Sequence, residues 1–230
     1  AVSLPLSICY RCPASHVTLA AEIEPAIKAR DNAPQGEVID IAEKDIHQHL
    51  SAGDLVMCRK TAPLISLCIK LIQKRTNAKV RGRDVSGELT NLAEKIADVA
   101  GYEFFLQSLG IYERQQITWL EQQEASDEVI QNLADKVEAL RICYQEFTEA
   151  KTVSQLVSCI EGLFSEDGAT IWLSTIHRAK GLEATRTFVL HRETLPMQFK
   201  GQSADQQMQE ENLLYVALTR AMQTMFFVAK

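Results

Sequence analysis

The amino-acid sequence predicts an α/β protein whose parallel sheet is interrupted by an all-helical insertion. Short apolar runs alternate with amphipathic helical patterns in residues 1–82 and again in residues 169–230. Strands that alternate with helices pair in parallel, and the helices cover the faces of the sheet. Residues 83–168, in contrast, have helical patterns and no convincing strand. We therefore expect an α/β domain made of residues 1–82 and 169–230, with residues 83–168 inserted into it as a helical subdomain.

Strand and helix patterns alternate through the first part of the chain. Glu37–Ile41 is typical of a strand, and Asp54–Cys58 contains the continuous apolar run of a buried one. A helix with an apolar stripe is predicted next, with Thr61 as its N-terminal cap, and Lys79–Arg81 is predicted as a further strand. Ahead of these elements, residues 14–30 have a helical pattern that contains a proline, which we expect to kink or restart the helix.

Helical patterns fill the insertion and return near the end of the chain. Apolar residues in the segment 129–147 recur at alternating steps of four and three, as in packed helices. Thr152–Gln155 has the spacing of a capping box. A strand–loop–strand pattern then spans Ile171–Leu190, Gln209–Met222 is predicted as a helix, and Thr224–Ala229 is predicted as the last strand.

Composition indicates a globular protein of the reducing cytoplasm. The 230 residues are 46% hydrophobic and 23% charged, with no apolar run long enough to span a membrane, and we predict no signal peptide. The six cysteines are scattered, as in proteins of a reducing compartment. Cys9 and Cys12 form a C-x-x-C pair, but a zinc site would need two further ligands, so we predict no metal site. The net charge of −6 argues mildly against a nucleic-acid partner, although it leaves room for a local basic groove.

The loop inside Ile171–Leu190 carries the polar groups that hold a phosphate chain or a nucleic-acid backbone. It follows a strand, where α/β proteins build ligand sites. The alternative is a solvated loop between two core strands. Arg220, near the end of a predicted helix, likewise has the position of a cation that only complements the helix dipole. The polar loop residues are Ser174, Thr175, His177, Arg178, Lys180, Gly181 and Glu183.

Three stretches taken together resemble the C-terminal motifs of UvrD/Rep-type superfamily 1 DNA helicases. LSICYRCPASHV is similar to the NYRS element, LSTIHRAKGLEATRTFVL to the T-x-H-x-A-K-G-L-E-F element, and EENLLYVALTRAM to the E-x-R-x-x-Y-V-A-x-T-R-A element. DLVMCRKTAPL resembles a fourth element of the family, in which a strand is followed by R-T-N. The resemblance covers residues 1–82 and 169–230 and implies a RecA-like domain, the second of the two between which this family binds ATP. Residues 83–168 lie where the family inserts its accessory subdomain, without a sequence match.

The resemblance assigns a nucleotide role to five residues. Tyr10 would stack on the adenine. Arg11 and Arg220 would reach the γ-phosphate as catalytic arginine fingers. Glu183 would contact the ribose, and Gly181 would shape the loop beside the nucleotide.

The resemblance also assigns five residues to nucleic acid. Arg59, Thr61, Thr175, His177 and Lys180 would line the path of single-stranded or partly duplex DNA. Contacts of this kind go mainly to phosphates, so binding would depend on salt rather than on base sequence.

Some positions differ from the family pattern. Cys9 stands for the usual Asn, Cys12 for Ser and Thr61 for Asn. Ala184 replaces an aromatic residue and Arg178 a smaller one.

The sequence contains no G-x-x-x-x-G-K-[ST] loop and no strand-borne Asp-Glu pair for Mg²⁺. ATP with Mg²⁺ would therefore need an N-terminal RecA-like domain of the same parent protein, which would hold the metal. We expect the isolated chain to be inactive, whether it is half of an ATP-dependent helicase or translocase or, as the alternative, a non-catalytic DNA- or protein-binding module with a helicase-like fold. A domain of a nuclease–helicase complex of the recombination-repair type is a third interpretation.

Overall fold

A computed structural model describes residues 7–165 and 168–230. The strands of these residues are β1 (Ile8–Cys9), β2 (Lys28–Ala29), β3 (Glu37–Ala42), β4 (Leu55–Cys58), β5 (Ala78–Val80), β6 (Ile171–Thr175), β7 (Ala184–Leu190) and β8 (Ala221–Ala229). The helices are α1 (Ala14–Ala20), α2 (Ile46–His49), α3 (Thr61–Gln73), α4 (Arg83–Ala100), α5 (Phe105–Gln122), α6 (Asp127–Glu146), α7 (Val153–Phe164) and α8 (Ala204–Leu218).

The chain divides into two compact units. The first comprises the described parts of Ala1–Arg59 together with Thr170–Gln198 and Ser203–Lys230. The second comprises the described parts of Lys60–Ala169 together with Phe199–Gln202. These units are groups of residues that lie close together, and they do not mark where an inserted subdomain begins or ends. The predicted boundaries of the helical insertion, at residues 83 and 168, therefore stay a prediction.

The first unit contains a parallel sheet. Five of its strands lie in the order β3-β8-β7-β4-β6, and neighbouring strands pair in parallel. β4 reads Leu-Val-Met-Cys and is buried along its whole length, as expected for a strand covered on both faces. β1 and β2 form a separate parallel pair. The predicted α/β class, a parallel sheet flanked by helices, is confirmed.

Helices α1 and α8 cover one face of this sheet. A buried apolar cluster joins Val17 and Ala20 of α1, Leu213 and Ala217 of α8, and strand residues such as Met57. Elsewhere in the core the rings of β7 Phe188 and β8 Phe226 stack, with their centroids 4.3 Å apart. This packing holds in place the strand ends that carry the candidate site.

Helix α1 is shorter than the pattern over residues 14–30 predicts. It ends at Ala20, and turns follow in which Glu24 Oε1 accepts a hydrogen bond from the Ala26 N–H at 3.2 Å. Pro25 cannot continue a helix. Beyond it the backbone finds strand partners, since the Lys28 N–H donates to Ser7 O at 2.6 Å. The helical region ends before the proline and no helix kinks or restarts there, which corrects the prediction.

Helix α8 and strand β8 both begin earlier than predicted. Ser203 accepts from the Gln206 N–H at 3.3 Å while Gln206 Oε1 accepts from the Ser203 N–H at 2.9 Å, a complete capping box that starts α8 at Ala204. At the other end the helix stops at Leu218, because Ala221 already pairs with Ala184 of β7. The predicted helix end at Met222 and strand start at Thr224 are therefore wrong.

The second unit is mainly helical and contains the short strand β5. Its helices α3 and α6 pack together, as do α4 and α7, around fully buried side chains that include Leu89, Ile96, Leu140 and Ile160. The predicted steps of four and three in α6 hold only at its centre, where Val137 and Leu140 are completely buried, whereas Val129 at its start is 45% exposed. Ahead of α6, residues Phe105–Gln122 form one continuous helix, α5.

Two helix starts in this unit show how capping depends on neighbours. Thr61 is the first residue of α3 and not its cap, which corrects the prediction. The Asp135 carboxylate of α6 accepts hydrogen bonds from the Thr61 N–H at 2.7 Å and the Ala62 N–H at 3.0 Å instead. Thr152 does cap α7, but the Gln155 side chain bonds the Lys151 N–H, one residue before the expected partner.

Candidate functional site

Three distant stretches of the first unit meet at one place. Arg11 follows β1, Glu183 precedes β7, and Arg220 lies in the two-residue connection between α8 and β8. The Ala184 N–H donates to Arg220 O at 3.2 Å where β7 and β8 begin to pair. The parallel sheet therefore brings Glu183 and Arg220 side by side, and Arg11 joins them from the N-terminal stretch.

Arg11 and Glu183 form an ion pair that is open to solvent. Arg11 Nε lies 2.5 Å from Glu183 Oε2, and the two side chains are 37% and 47% exposed. A pair with this exposure contributes little to stability. Both groups therefore remain accessible to a ligand.

The Arg220 side chain is held in place by backbone and hydroxyl oxygens. Its Nε donates to Val216 O at 3.1 Å, Nη1 to Leu182 O at 3.3 Å and Nη2 to Thr219 Oγ1 at 3.1 Å. Burial and, second, the positive charge of Arg11 lower the pKa of this guanidinium. It still carries its charge at neutral pH, as arginine effectively always does. Two like charges near each other favour an anion at this place.

Tyr10 and Gly181 stand beside these charged groups in the sequence. The Tyr10 side chain is 72% exposed, so its ring is available to a flat ligand. Gly181 has a φ of +86°, a conformation that side chains with a Cβ rarely adopt. An added Cβ would meet no atom within 4 Å, so the glycine is required by the backbone turn and not by lack of space.

A second group of charges in the same unit is buried. Arg59 and Glu210 have side chains only 6% and 5% exposed, and they form a bidentate pair. Arg59 Nε lies 2.9 Å from Glu210 Oε1, and Arg59 Nη2 lies 2.7 Å from the same oxygen. Glu210 Oε2 also accepts from the Met197 N–H at 3.2 Å. The pair links the end of β4 to α8 and to the segment that follows β7.

His177 lies near this pair. It is an exposed residue, yet desolvation is the largest cause that lowers its pKa, to about 4, and the positive charge of Arg59 is the second. Glu210 opposes the shift, whereas Lys180 and Arg178 add to it. Exposure limits the desolvation, but the neighbouring cations act in the same direction. We therefore assign a neutral imidazole to His177 near pH 7.

The remaining predicted nucleic-acid residues differ in their surroundings. Thr175 ends β6 and is 9% exposed, and its carbonyl accepts from the Arg178 N–H at 3.0 Å. Lys180 is exposed. Thr61 belongs to the second unit, where it starts α3. The assignment of Arg59, Thr61, Thr175, His177 and Lys180 to DNA stays a prediction.

Glu210 opens the EENLLYVALTRAM stretch, yet no role was assigned to it from the sequence. A signal was present, because Glu210 falls on the same helical face as Leu213, Leu214 and Ala217, all of which are buried. A carboxylate in such a stripe requires a buried partner. The identity of that partner could not be read from the chain, since Arg59 lies 151 positions away.

Neither a metal site nor a membrane span is found in residues 7–165 and 168–230. No three His, Cys, Asp or Glu side chains there come together as metal ligands. No helix in the same residues is both long and apolar enough to cross a membrane.

Comparison with known proteins agrees with this arrangement. No curated protein matches the chain. The UvrD-like helicase C-terminal domain family matches residues 37–230, which include the sheet, the loop after β6 and the α8–β8 connection. Because the match covers most of the sequence and the parallel α/β sheet agrees with it, we conclude that the chain belongs to the UvrD-like helicase C-terminal domain family and forms the C-terminal part of a helicase motor.

Proposed function

We propose that this chain is the second half of an ATP-dependent DNA helicase or translocase motor and supplies its arginine fingers. The observation that carries the proposal is the meeting of Arg11, Glu183 and Arg220 at the end of β1 and the starts of β7 and β8. Three stretches that are distant in sequence converge on a place with two cations and one carboxylate. A polyphosphate has the charge that such a place favours.

The two arginines would contribute to an arginine finger in different ways. Arg220 is held by three hydrogen bonds and keeps its guanidinium in a fixed position. Arg11 pairs with a solvent-exposed carboxylate and can exchange that partner for a phosphate oxygen. Fixed cations that point at developing charge stabilise the transition state of phosphoryl transfer.

The neighbouring groups fit the rest of a nucleotide. The exposed ring of Tyr10 would stack on the adenine, and Glu183, once released by Arg11, would accept a hydrogen bond from the ribose. Gly181 would maintain the turn that presents Glu183. The charge and exposure of these residues support the binding of ATP on this side of a cleft.

DNA would contact the loop after β6. Lys180 offers an exposed cation and His177 a neutral imidazole that can hydrogen-bond without adding charge. Arg59 already forms an ion pair with Glu210. Its charge would either hold the loop in place or contact a DNA phosphate at the edge of the pair. Thr61 and Thr175 would add hydroxyl contacts to single-stranded or partly duplex DNA.

The phosphate cradle would come from another domain. The chain has no phosphate-binding loop sequence, so an N-terminal RecA-like domain of the parent protein would hold Mg²⁺ and the β-phosphate. Mg²⁺ would neutralise phosphate charge when bound there, and the residues described here would act from the opposite side. The isolated chain would then hydrolyse no ATP, because catalysis needs groups placed from both sides.

The test combines this chain with a phosphate-loop domain, either within the parent protein or as a fusion. ATP hydrolysis is measured with and without single-stranded DNA. Arg220→Ala should lower kcat by about 10³–10⁵-fold, which corresponds to roughly 4–7 kcal/mol of barrier. The matched control is Arg30→Ala, an exposed arginine of the same unit, which should leave kcat unchanged.

Each outcome has a clear meaning. Hydrolysis that needs both halves and collapses only in the Arg220 variant supports the motor. Equal activity of the Arg220 and Arg30 variants would reject the finger role. A folded combination that binds DNA in a salt-dependent manner without any hydrolysis would instead indicate the non-catalytic binding module.

A further inference from the structure

Two cysteines enclose the Tyr10–Arg11 pair and lie close together. The Cys12 N–H donates to Cys9 Sγ at 3.4 Å. Burial first, and then the charge and a side-chain hydrogen bond of Cys9, raise the pKa of the Cys12 thiol to about 12. Cys9 Sγ is therefore within hydrogen-bonding reach of the Cys12 backbone. The two cysteines have the C-x-x-C spacing that is found in small redox-active disulfide rings.

We propose that Cys9 and Cys12 form a redox-active dithiol, which low-molecular-weight disulfides of the glutathione type oxidise to an intramolecular disulfide. The reaction consumes one external disulfide, R–S–S–R, and releases two R–SH. The two cysteine sulfurs lose two electrons and two protons in total, and the external disulfide gains them. The oxidation itself does not depend on the proposed function, whereas its effect on ATP hydrolysis rests on it.

The two thiols differ in access, which sets the order of steps. Cys9 is partly exposed and Cys12 is 1% exposed. The Cys9 thiolate would attack the external disulfide, form a mixed disulfide and release the first R–SH. Cys12 would then attack Cys9 Sγ and release the second R–SH, leaving a Cys9–Cys12 bond. A resolving thiol two residues away in the same chain, not its burial, favours closure within the chain over a lasting mixed disulfide.

The surroundings connect the dithiol to the candidate finger residues. Cys9 is held at its backbone, where its carbonyl accepts from the Arg30 N–H at 3.2 Å. The Cys12 thiol donates to Thr219 O at 3.4 Å, one residue before Arg220. Oxidation removes this S–H donor and draws Cys12 toward Cys9. The two residues between them, Tyr10 and Arg11, must then change conformation, and the Arg11–Glu183 pair changes with them.

The other four cysteines are poorer sites. Cys58, Cys68 and Cys143 are buried, and Cys68 Sγ donates to Ala78 O at 3.4 Å. Cys159 is partly exposed, and its thiol donates to Glu149 Oε1 at 3.9 Å instead of lying beside the backbone of a second cysteine in C-x-x-C spacing. Cys159 therefore provides a matched control for a cysteine that is accessible to a similar degree.

A tryptic digest reads the disulfide directly on the chain alone. Trypsin cuts after Arg11 and after Lys28, so Cys9 and Cys12 fall in separate peptides. The chain is equilibrated with excess oxidised glutathione at about pH 8.5, near the ordinary pKa of a free thiol. Free thiols are alkylated before digestion and mass spectrometry. We expect the peptide that ends at Arg11 to remain linked to peptide 12–28, and a reductant to separate them.

Two variants decide whether the link is the proposed one. Cys12→Ser should abolish the linked peptides and leave Cys9 as a stable mixed disulfide with glutathione. Cys159→Ser should keep the linked peptides unchanged. Separate peptides in the unsubstituted chain at equilibrium, or glutathione retained on Cys9 at the level of the Cys12→Ser variant, would overturn the proposal.

The effect on the motor has its own readout. In the combination with the phosphate-loop domain, the oxidised chain should lose ATP hydrolysis, and a reductant should restore it. Unchanged hydrolysis in a fully linked chain would overturn the coupling to Arg11. If the reduced combination is itself inactive, the proposed function fails, and the digest still shows whether the disulfide forms.

Discussion

Replacing Glu210 with glutamine tests the buried pair at the base of the candidate nucleic-acid surface. The substitution keeps the side-chain volume and removes the negative charge. Arg59 would then retain a buried positive charge, with its own side chain only 6% exposed. The Met197 N–H would lose a charged acceptor that now lies at 3.2 Å. Both effects act on the folded state alone, because in the unfolded chain the two side chains are solvated by water.

The magnitude follows from the burial of both partners. Removing one partner of a buried ion pair costs about 3–5 kcal/mol, because the remaining charge stays buried after that counter-charge is lost. For a chain of this size each kcal/mol lowers Tm by about 2–4 °C, so Tm should fall by roughly 6–20 °C. Removing both charges in Arg59→Met with Glu210→Leu should recover much of this loss, since an apolar pair of similar volume avoids the desolvation cost.

The assay is urea unfolding followed by tryptophan fluorescence. The chain has two tryptophans, Trp119 in the second unit and Trp172 in β6 of the first. In a Trp119→Phe background the signal comes from Trp172 and reports on the unit that contains Arg59 and Glu210. Glu211→Gln is the matched control, because the same chemical change one residue away should alter stability by no more than about 0.5 kcal/mol.

The reasoning is refuted if Glu210→Gln lowers the free energy of unfolding by less than about 1 kcal/mol, the value typical of an exposed pair. It is also refuted if the double variant is no more stable than Glu210→Gln alone.

Three further substitutions test backbone strain, titration and capping. Gly36→Ala should lower the free energy of unfolding by about 1–2 kcal/mol because of its φ of +70°, and by about 1–3 kcal/mol more because the new Cβ would lie 2.3 Å from a proline Cβ. The control Gly53→Ala, at φ +91° with no atom within 4 Å of the new Cβ, should show only the backbone cost. Urea unfolding measures both variants. The pKa of His177 falls from 6.5 to about 4 on folding, so the unfolded chain binds the proton first and stability should decline as pH drops through this window. His177→Asn should reduce the difference between urea midpoints at the two ends of the window, and equal reduction by a surface control, His47→Asn, would contradict this. Ser203→Ala should cost about 1 kcal/mol, measured by thermal unfolding, because it removes the α8 cap, and an unchanged Tm would show that the capping box contributes nothing.

The buried central strands could be predicted because a strand that is covered on both faces of a parallel sheet has an apolar residue at each position. Leu55–Cys58 is apolar at every position, and the structure buries every position. The ends of α8 were not predictable in the same way. Its last turn competes with strand pairing, and Ala221 joins β8 because Ala184 of β7 is there to pair with it. Such competition between a helix and a neighbouring strand is decided by tertiary contacts.

The residues of the candidate site also differ in whether a local sequence pattern or a tertiary contact identifies them. Arg11, Glu183 and Arg220 were identified through motif resemblance, and the structure brings them together. The Arg59–Glu210 pair was missed because its members are contributed by β4 and α8, which approach only in the folded chain. A local pattern shows that Glu210 needs a partner, but not which one.

The place of β8 in the sheet has a consequence for synthesis on the ribosome. Within residues 7–165 and 168–230, β3 pairs with β8 alone in the strand order of the first unit, and β8 is translated after the other strands of these residues. While the second unit emerges and folds, β3 waits as an unpaired edge, which is open to incorrect partners. Pairing over such a sequence distance is also slow. The first unit thus acquires its sheet late, in a step that must outpace aggregation, and the Arg220 site that sits at the start of β8 matures only in that final step.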